Sequence, residues 1–568
     1  LVLFPYHTIS PPLLYPLFGW KKIYAKIEPS FTKRKGDTMT DQQNSVPVNT
    51  ATSSQEESIF FFGSLALPIL LYALAFAIFL FKNARGIGVF FFAVSSVLLL
   101  QKTRKVYQKA ASKSILLLYC LSLAVGLSTF LTDNTAIIIL NFIALFLLIV
   151  SILLLSFANT TGWDFGDYLK EVFLTALLSV GYIGKPTSDM KAYLEREKNK
   201  GKSKTRYVIL GILLSVPLVV ILAALLSSAD LVFARLLAKI FHFNAADVFL
   251  FLLLFFFGLY SAYCGIRYVA DKDNDFAKPG HPLREPLPVI ILSVSISLLY
   301  LLFSLVQFLY LFAGGLQLPS GITYADYARK GFFQLLLVCI LNLLFVLLVK
   351  KKFQKSRMLD ILLLTISCCT FVMIASSALR MYLYIRAYQL TFLRVFVLVA
   401  LFTLTVLFVG VIIKILHERF DLLRFGVAAI GILYCLFAFS HSEYFIARYN
   451  LTHPGVSGEI DTYYLLYNMS ADAAPAIVAL HQKAVGSSES SPYQESQYEE
   501  DRYGTDPYRE DRYQENLRPS YEDPAEEMDP EPTWYQDYTE RILRKVSAME
   551  GSPFTFNVSI AIAGHVLR

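Results

Sequence analysis

LDILLLTISCCTFVMIASSALRMYLYIRAYQLTFLR, residues 359–394, decides how the chain is read. Its first 21 residues, to Leu379, carry one charge and match the roughly 20 apolar residues that a bilayer-crossing helix needs. The stretch then turns cationic and tyrosine-rich. Thr370, Ser377, Tyr384 and Thr391 recur every seven residues, and Arg380 lies three after Ser377 and four before Tyr384, on the same helix face. A polar stripe on an apolar helix faces protein rather than lipid. The pattern predicts a core helix that ends in a polar, basic mouth at one membrane surface.

The rest of the chain agrees with a membrane setting. Its 568 residues are 55% hydrophobic with a mean hydropathy of +0.51, and runs of about 20 apolar residues repeat along it. A transmembrane barrel would show short alternating segments instead. The expected fold is all-α, a polytopic transmembrane helix bundle of about 11 spans: 59–81, 87–100, 114–131, 136–157, 207–227, 247–266, 289–313, 332–349, 358–379, 391–413 and 425–440. Residues 163–184 open with Asp164, Asp167, Lys170 and Glu171, and read as an interfacial helix. The six cysteines fall in or at the ends of apolar segments, away from disulfide or zinc-ligand spacing.

Charge is partitioned. Residues 484–541 hold 17 Asp/Glu against 5 Arg, so the remainder is more basic than the formal +7 suggests. Alternate loops carry 26 and 8 Lys/Arg. The positive-inside rule then places the N-terminus in the cytoplasm and residues 441–568 outside. This basicity suits anionic lipid head groups, so the bilayer is the expected partner and nucleic acid is not.

Domain boundaries follow from composition. Residues 1–58 read as a cytoplasmic extension, disordered by composition, with a cleaner start at Met39. Residues 59–440 form the bundle. Residues 441–483 and 533–568 form a small extracytoplasmic C-terminal domain. Between them, 484–532 is a disordered acidic insert in which Tyr493, Tyr498, Tyr503, Tyr508 and Tyr513 recur every five residues. That period builds no single buried face of a helix or strand. The closing FTFNVSIAI alternates Phe554, Phe556, Val558, Ile560 and Ile562, which favours a strand.

Enzyme signals are missing. GKS at 201–203 has Arg196 where a phosphate loop needs glycine, and there is no HExxH. No catalytic residue, metal ligand or cofactor is assigned. The span middles hold only Asn141, Gln307, Asn342 and some Ser/Thr, without the ionisable relay of coupled transporters. Polar residues gather instead at the predicted outer surface, in SSADLVF (227–233), YADYARKGFFQL (324–335), LRMYLYIRAYQLTFLR (379–394), FIARYN (445–450) and DTYYLLYNMSADAAPAIV (461–478). Each has an ordinary reading: a cap for Asp230 with Ser227, belt tyrosines at Tyr324 and Tyr327, snorkelling anchors at Arg380, Arg386 and Arg394. Together, three arginines on the outer face run against the charge trend. The candidate ligand-binding set is therefore Asp230, Tyr324, Tyr327, Arg329, Arg380, Tyr384, Arg386, Arg394, Asn450 and Asp461.

These five motifs, in this order, resemble an uncharacterised bacterial multi-pass membrane family, domain of unknown function 4173, with a sister group 4153. The resemblance runs from roughly Phe79 to the end and breaks at the tyrosine repeat. It implies a bacterial plasma or inner membrane protein, and implies no activity or catalytic residues. The acidic insert and the NVSIAIAGHVL close depart from the family pattern. The expected function is a non-enzymatic cell-envelope protein whose outer-face site binds a lipid head group, a wall precursor or a partner protein. A carrier or flippase needs a polar path along Asn141, Gln307, Asn342, Thr370 and Ser377. An envelope transferase needs Asp230 or Asp461 as base, with arginines holding phosphate. Deleting residues 487–532 is expected to leave insertion and folding intact, because the segment buries little apolar surface. A large fall in the melting temperature of the purified protein would show that it packs.

Overall fold

The computed structural model describes residues 50–82, 85–110, 112–158, 163, 165–199, scattered positions between 211 and 233, 245–272, 283–309, 324–453, 461–488, 533–549 and 556–567. The residues expected to form the N-terminal extension up to 49, and most of the acidic insert, lie outside them. Over the described residues the protein is helical: α1 (Thr50–Leu80), α2 (Gly88–Val106), α3 (Lys113–Leu131), α4 (Thr135–Phe157), α5 (Phe165–Leu178), α6 (Lys185–Asn199), α7 (Ala245–Asp271), α8 (Leu287–Gln307), α9 (Tyr324–Lys352), α10 (Arg357–Tyr388), α11 (Phe392–Leu416), α12 (Leu422–Ala438), α13 (Ser442–Thr452), α14 (Thr462–Asn468), α15 (Ala474–Ser488), α16 (Thr533–Met549) and α17 (Val558–Leu567).

Eight of these, α1, α3, α4 and α7–α11, are long and apolar enough to cross a membrane. The pair α12 and α13 adds a ninth if its two helices, bent by 55°, are one span. Of the other segments expected to span, 87–100 is α2, whose last turn carries Arg104 and Lys105, and most of 207–227 is outside the described residues. The segment 163–184 holds only the 14-residue α5 and a 3-10 turn. At 1.5 Å per residue, α5 is too short to cross a core of roughly 30 Å.

Contacts between connections define two ends of the bundle. At one end the α1–α2, α3–α4 and α10–α11 turns meet the helices that follow α12. Ile87 N–H donates to Phe556 O (3.2 Å), Asn557 donates to Thr132 O (2.8 Å), and Phe392 N–H donates to Tyr464 Oη (2.8 Å). The other end carries Arg104, Lys109, Lys350–Lys352 and Lys414 on helix ends and connections. There Arg267 of α7 bonds Asp271 (2.6 Å) and approaches Asp189 of α6 (3.4 Å), and Tyr263 donates to Asp189 (2.9 Å).

Two apolar cores fill the bundle. One joins α1–α4 and α7; the other joins α8–α11. Helix α12 packs against both α3 and α11 and so bridges them. Close approach needs small residues, because lipid is as apolar as leucine and only packing and polar bonds draw helices together. Gly126 of α3 is such a point: a Cβ there would lie 2.8 Å from Ala93 Cβ of α2 and 3.2 Å from the Phe90 backbone. The polar stripe on α10 faces protein, as expected. Thr370 and Ser377 are fully buried, Asn342 of α9 donates to Thr370 (2.9 Å) and accepts from Tyr300 of α8 (2.7 Å), and Ser376 donates to Gln307 of α8 (2.7 Å).

A third core, made by α13–α17, caps the end with the tighter turns. Its centre holds Ile446, Leu465, Ile477, Tyr538, Ile542, Ile560 and Ala563. The strand expected at 554–562 is a helix from Val558. Asn557 caps it by accepting from Ile560 N–H (3.2 Å), and Ser559, Ile560, Ala563 and Gly564 face inward at helical spacing. Packing against Val546 of α16 overrides the alternating pattern of nine residues.

Candidate functional site

The α10–α11 turn is where the sequence placed a basic mouth, and its backbone is strained. Gln389 has φ 63° and ψ −178°. That region is nearly glycine-only and costs about 1–3 kcal/mol, so the surroundings must hold it. They do so from four directions. Asn450 of α13 accepts from Leu390 N–H and donates to Leu390 O, both at 2.8 Å. The Gln389 side chain donates to Asn450 O (3.3 Å) and His453 O (3.2 Å). Arg394 donates to Tyr388 O and Gln389 O, neutralising the carbonyl end of α10. Its guanidinium also lies over the Tyr384 ring, 4.3 Å from the centroid.

Beside this turn is a cavity of about 230 Å³ between α9, α10 and α11. Phe332, Phe333, Met381, Leu393 and Val397 make its wall, and Tyr384, Thr391 and Arg394 supply the polar atoms. Arg380 is 9% exposed and sits immediately behind it. Its guanidinium occupies the space above Gly331, where a Cβ would fall 1.7 Å from Nη1. Arg386 is exposed on the last turn of α10. The slot thus has apolar walls and, among the described residues, one cationic lining group, Arg394.

The structure therefore brings Tyr384 and Arg394 together at the cavity, while Arg380 lies against Gly331. Asn450 joins them as the clamp on the turn, buried and spent on backbone groups. Asp461 is exposed and caps α14 by accepting from Tyr464 N–H (2.9 Å). Asp230 is exposed and accepts from Val232 N–H (2.7 Å) and Phe233 N–H (3.1 Å). It is itself the cap, while Ser227 bonds back to Ala223 O, so the pairing of Ser227 as cap with Asp230 as capping-box partner is not formed. Tyr324, Tyr327 and Arg329 belong to the first turns of α9, and their side chains lie outside the described residues. Asp230 and Asp461 do not line the cavity. The polar groups of the expected transport path fall into separate sets: Asn141 donates to Ser128 (2.8 Å) and Thr129 (2.9 Å) and accepts from Tyr434 (2.6 Å), on the other side of the bundle from Asn342.

A second polar centre was not singled out from the sequence. Asp133, Glu443 and Asp472 are each at most 5% exposed and meet where the third core joins the bundle. Asp133, in the α3–α4 turn, pairs with Lys545 of α16 and with Arg85 (3.4 Å) and accepts from Ala471 N–H (3.2 Å). Asp472 accepts from Thr132, from Ser559 and from Asp133 N–H (2.7 Å). His441, the left-handed residue at the α12–α13 bend, is 3.9 Å from it. Glu443 accepts from Asn134 (2.6 Å), from Ser470 N–H (2.8 Å) and from the Ser470 hydroxyl. Burial pushes the Glu443 carboxyl up to about 7, and burial also raises that of Asp472. The sequence signal was available in the motif: Ser470 and Asp472 stand in NMSADAAP, and Asp133 with Asn134 break two apolar runs at LTDNT. What it lacked was the pairing of positions more than 300 residues apart.

Residues 119–480, nearly two thirds of the chain, match the family model Domain of unknown function (DUF4153). The match thus falls on the group that the motifs pointed to as a sister, rather than on 4173. It takes in the cavity and all three carboxylates, but not Arg85, Lys545 or Ser559. No curated protein and no solved structure matches.

The slot above Gly331 yields a test. Gly331→Ala is expected to displace the Arg380 guanidinium and destabilise the protein by about 1–3 kcal/mol, as overpacking does. In an Arg380→Ala background the same change should be close to neutral, giving a coupling energy of about that size in a double-mutant cycle. Additive effects in thermal or denaturant unfolding would show that the two residues do not compete for one space.

Proposed function

We propose that this chain, which belongs to the DUF4153 family of multi-pass membrane proteins, is a non-enzymatic cell-envelope protein of a bacterial plasma membrane. Its outer-face cavity binds an anionic amphiphile, a phospholipid or lipid-linked precursor whose head carries phosphate. The observation that carries this reading is the cavity of about 230 Å³ with apolar walls and Arg394 with Tyr384 among its lining groups. Each methylene buried there would contribute about 0.8 kcal/mol, and arginine holds phosphate through two parallel hydrogen bonds. Arg380 behind the wall and Arg386 outside it add positive charge. Among the described residues the cavity lining is apolar apart from Tyr384, Thr391 and Arg394, a lining suited to binding.

Eleven spans and an outward-facing third core complete the reading. Helix α2 runs from the capped end, where Ile87 bonds Phe556, to the basic end, where Arg104 bonds Tyr119 (3.4 Å). Helix α6 meets the basic end of α7, yet α7 starts beside Lys82 at the capped end through Asp247 (2.6 Å). These placements of α6 and α7 are consistent with the crossing expected at 207–227, most of which lies outside the described residues. Counting α2, this expected crossing and α12 beside the eight gives the proposed eleven. The basic end then faces the cytoplasm.

Two measurements test these statements. Purified protein is expected to retain phosphatidylglycerol over phosphatidylcholine in native mass spectrometry. Arg394→Gln should weaken retention by about 10- to 100-fold, the equivalent of about 1.5–3 kcal/mol for a lost charged hydrogen bond. Val397→Trp, which fills the slot and touches no charge, should do the same. Equal retention of both lipids by wild type and variants would remove the ligand reading. Topology reporters at Lys198 and near Gly504 are expected on opposite sides, cytoplasmic and external respectively; signals on the same side would overturn the span count.

A further inference from the structure

The three carboxylates differ in what balances them. Asp133 has two cations, Lys545 and Arg85. Asp472 faces His441, which is 45% exposed at its side chain. Glu443 is 5% exposed and has no cation within ion-pair distance among the described residues, only Asn134 and Ser470 as donors. It nevertheless pins the two sides together: Asn134 belongs to the bundle and Ser470 to the third core. The groups facing it from the surrounding elements are Asp133 from the α3–α4 turn, Asp472 from the 3-10 turn, Tyr464 from α14, Tyr538, Arg541 and Lys545 from α16, Arg394 from α11, Arg85 from the α1–α2 turn and His441 at the bend. Of the three carboxylates, Asp133 alone is ion-paired to permanent cations, and Glu443 has none within ion-pair distance among the described residues.

We propose that Glu443 is a proton-operated latch: with its proton, the third core docks tightly on the bundle; without it, an unpaired buried charge loosens that docking. Burial favours the neutral acid, in the direction already seen for Glu443. A proton held more tightly in the docked state means that docking is strongest in acid and weakens as pH climbs from the ordinary carboxylate range through about 7, then levels off. The latch reaches the cavity through α14. Tyr464 takes the N–H of Phe392, which lies between Thr391 and Leu393 in the cavity wall. Release would free the brace on that wall, so the cavity would be held firm in acid and slack in base. The latch does not rest on which ligand the cavity takes.

Hydrogen exchange of the full chain in nanodiscs, corrected for intrinsic rates, tests it between about pH 5.5 and 8.5. Amides of α16 and α17 are expected to become several-fold more protected as pH falls below about 7, with little change above it. Glu443→Gln should be protected across the range, with a flat profile. Ser470→Ala, which removes a hydroxyl donor to the carboxylate and leaves the acid in place, should move this break to higher pH. Exchange in wild type that ignores pH overturns the latch. So does a Glu443→Gln profile that still follows wild type. If Glu443→Gln does not accumulate, an unmoved break in Ser470→Ala overturns it alone.

Discussion

Every polar group kept from water in this protein must find its partner inside the protein, and that requirement shapes both the bundle and its cap. Helices satisfy their own backbones, so the bundle is helical. The few polar side chains deep in it then bond one another across helix faces. Asn342 joins Tyr300 and Thr370; Asn141 joins Ser128, Thr129 and Tyr434. Ser and Thr hydroxyls elsewhere return to the carbonyl one turn back, as Ser122, Ser367 and Ser377 do.

Charge is used at the ends, and the two ends use it differently. At the basic end Arg267 is buried with two aspartates around it, which fixes α6 on α7. At the capped end the balance is reversed: buried carboxylates outnumber the cations that reach them. A buried ion pair contributes little net stability, but leaving one partner unpaired is costly. Such an arrangement holds its geometry closely while all bonds are made and is sensitive to one proton. The same end carries the strained turn at Gln389. Asn450, which holds that turn, and Glu443, which holds the cap, sit seven residues apart on α13, two helical turns along one face. One short helix thus braces both the cavity wall and the junction.

Two features were read in the right place for partial reasons. The stripe of Thr370, Ser377 and Arg380 was legible because a seven-residue period survives translation into a helix face. The mouth beyond it was legible as charge and aromatic content, and the structure sets Tyr384 and Arg394 side by side there. The roles of Asn450 and Asp461 as backbone caps were not legible, since an exposed-looking polar residue in a motif has the same sequence signature whether it binds a ligand or a neighbouring N–H. The closing helix α17 was read as a strand because a short apolar run fits either period, and only packing against Val546 decides between them.

The sequence by itself determined the membrane setting, the helical class, the polar face of α10 and the cationic end of that helix, because hydropathy and period are local properties of consecutive residues. Only the tertiary structure decided which turns share an end, that Asp133 meets Asp472 and Lys545 across more than 300 residues, and that Gly331 makes room for Arg380. Those facts depend on loop closure over long distances, and no local pattern carries the register in which distant helices meet.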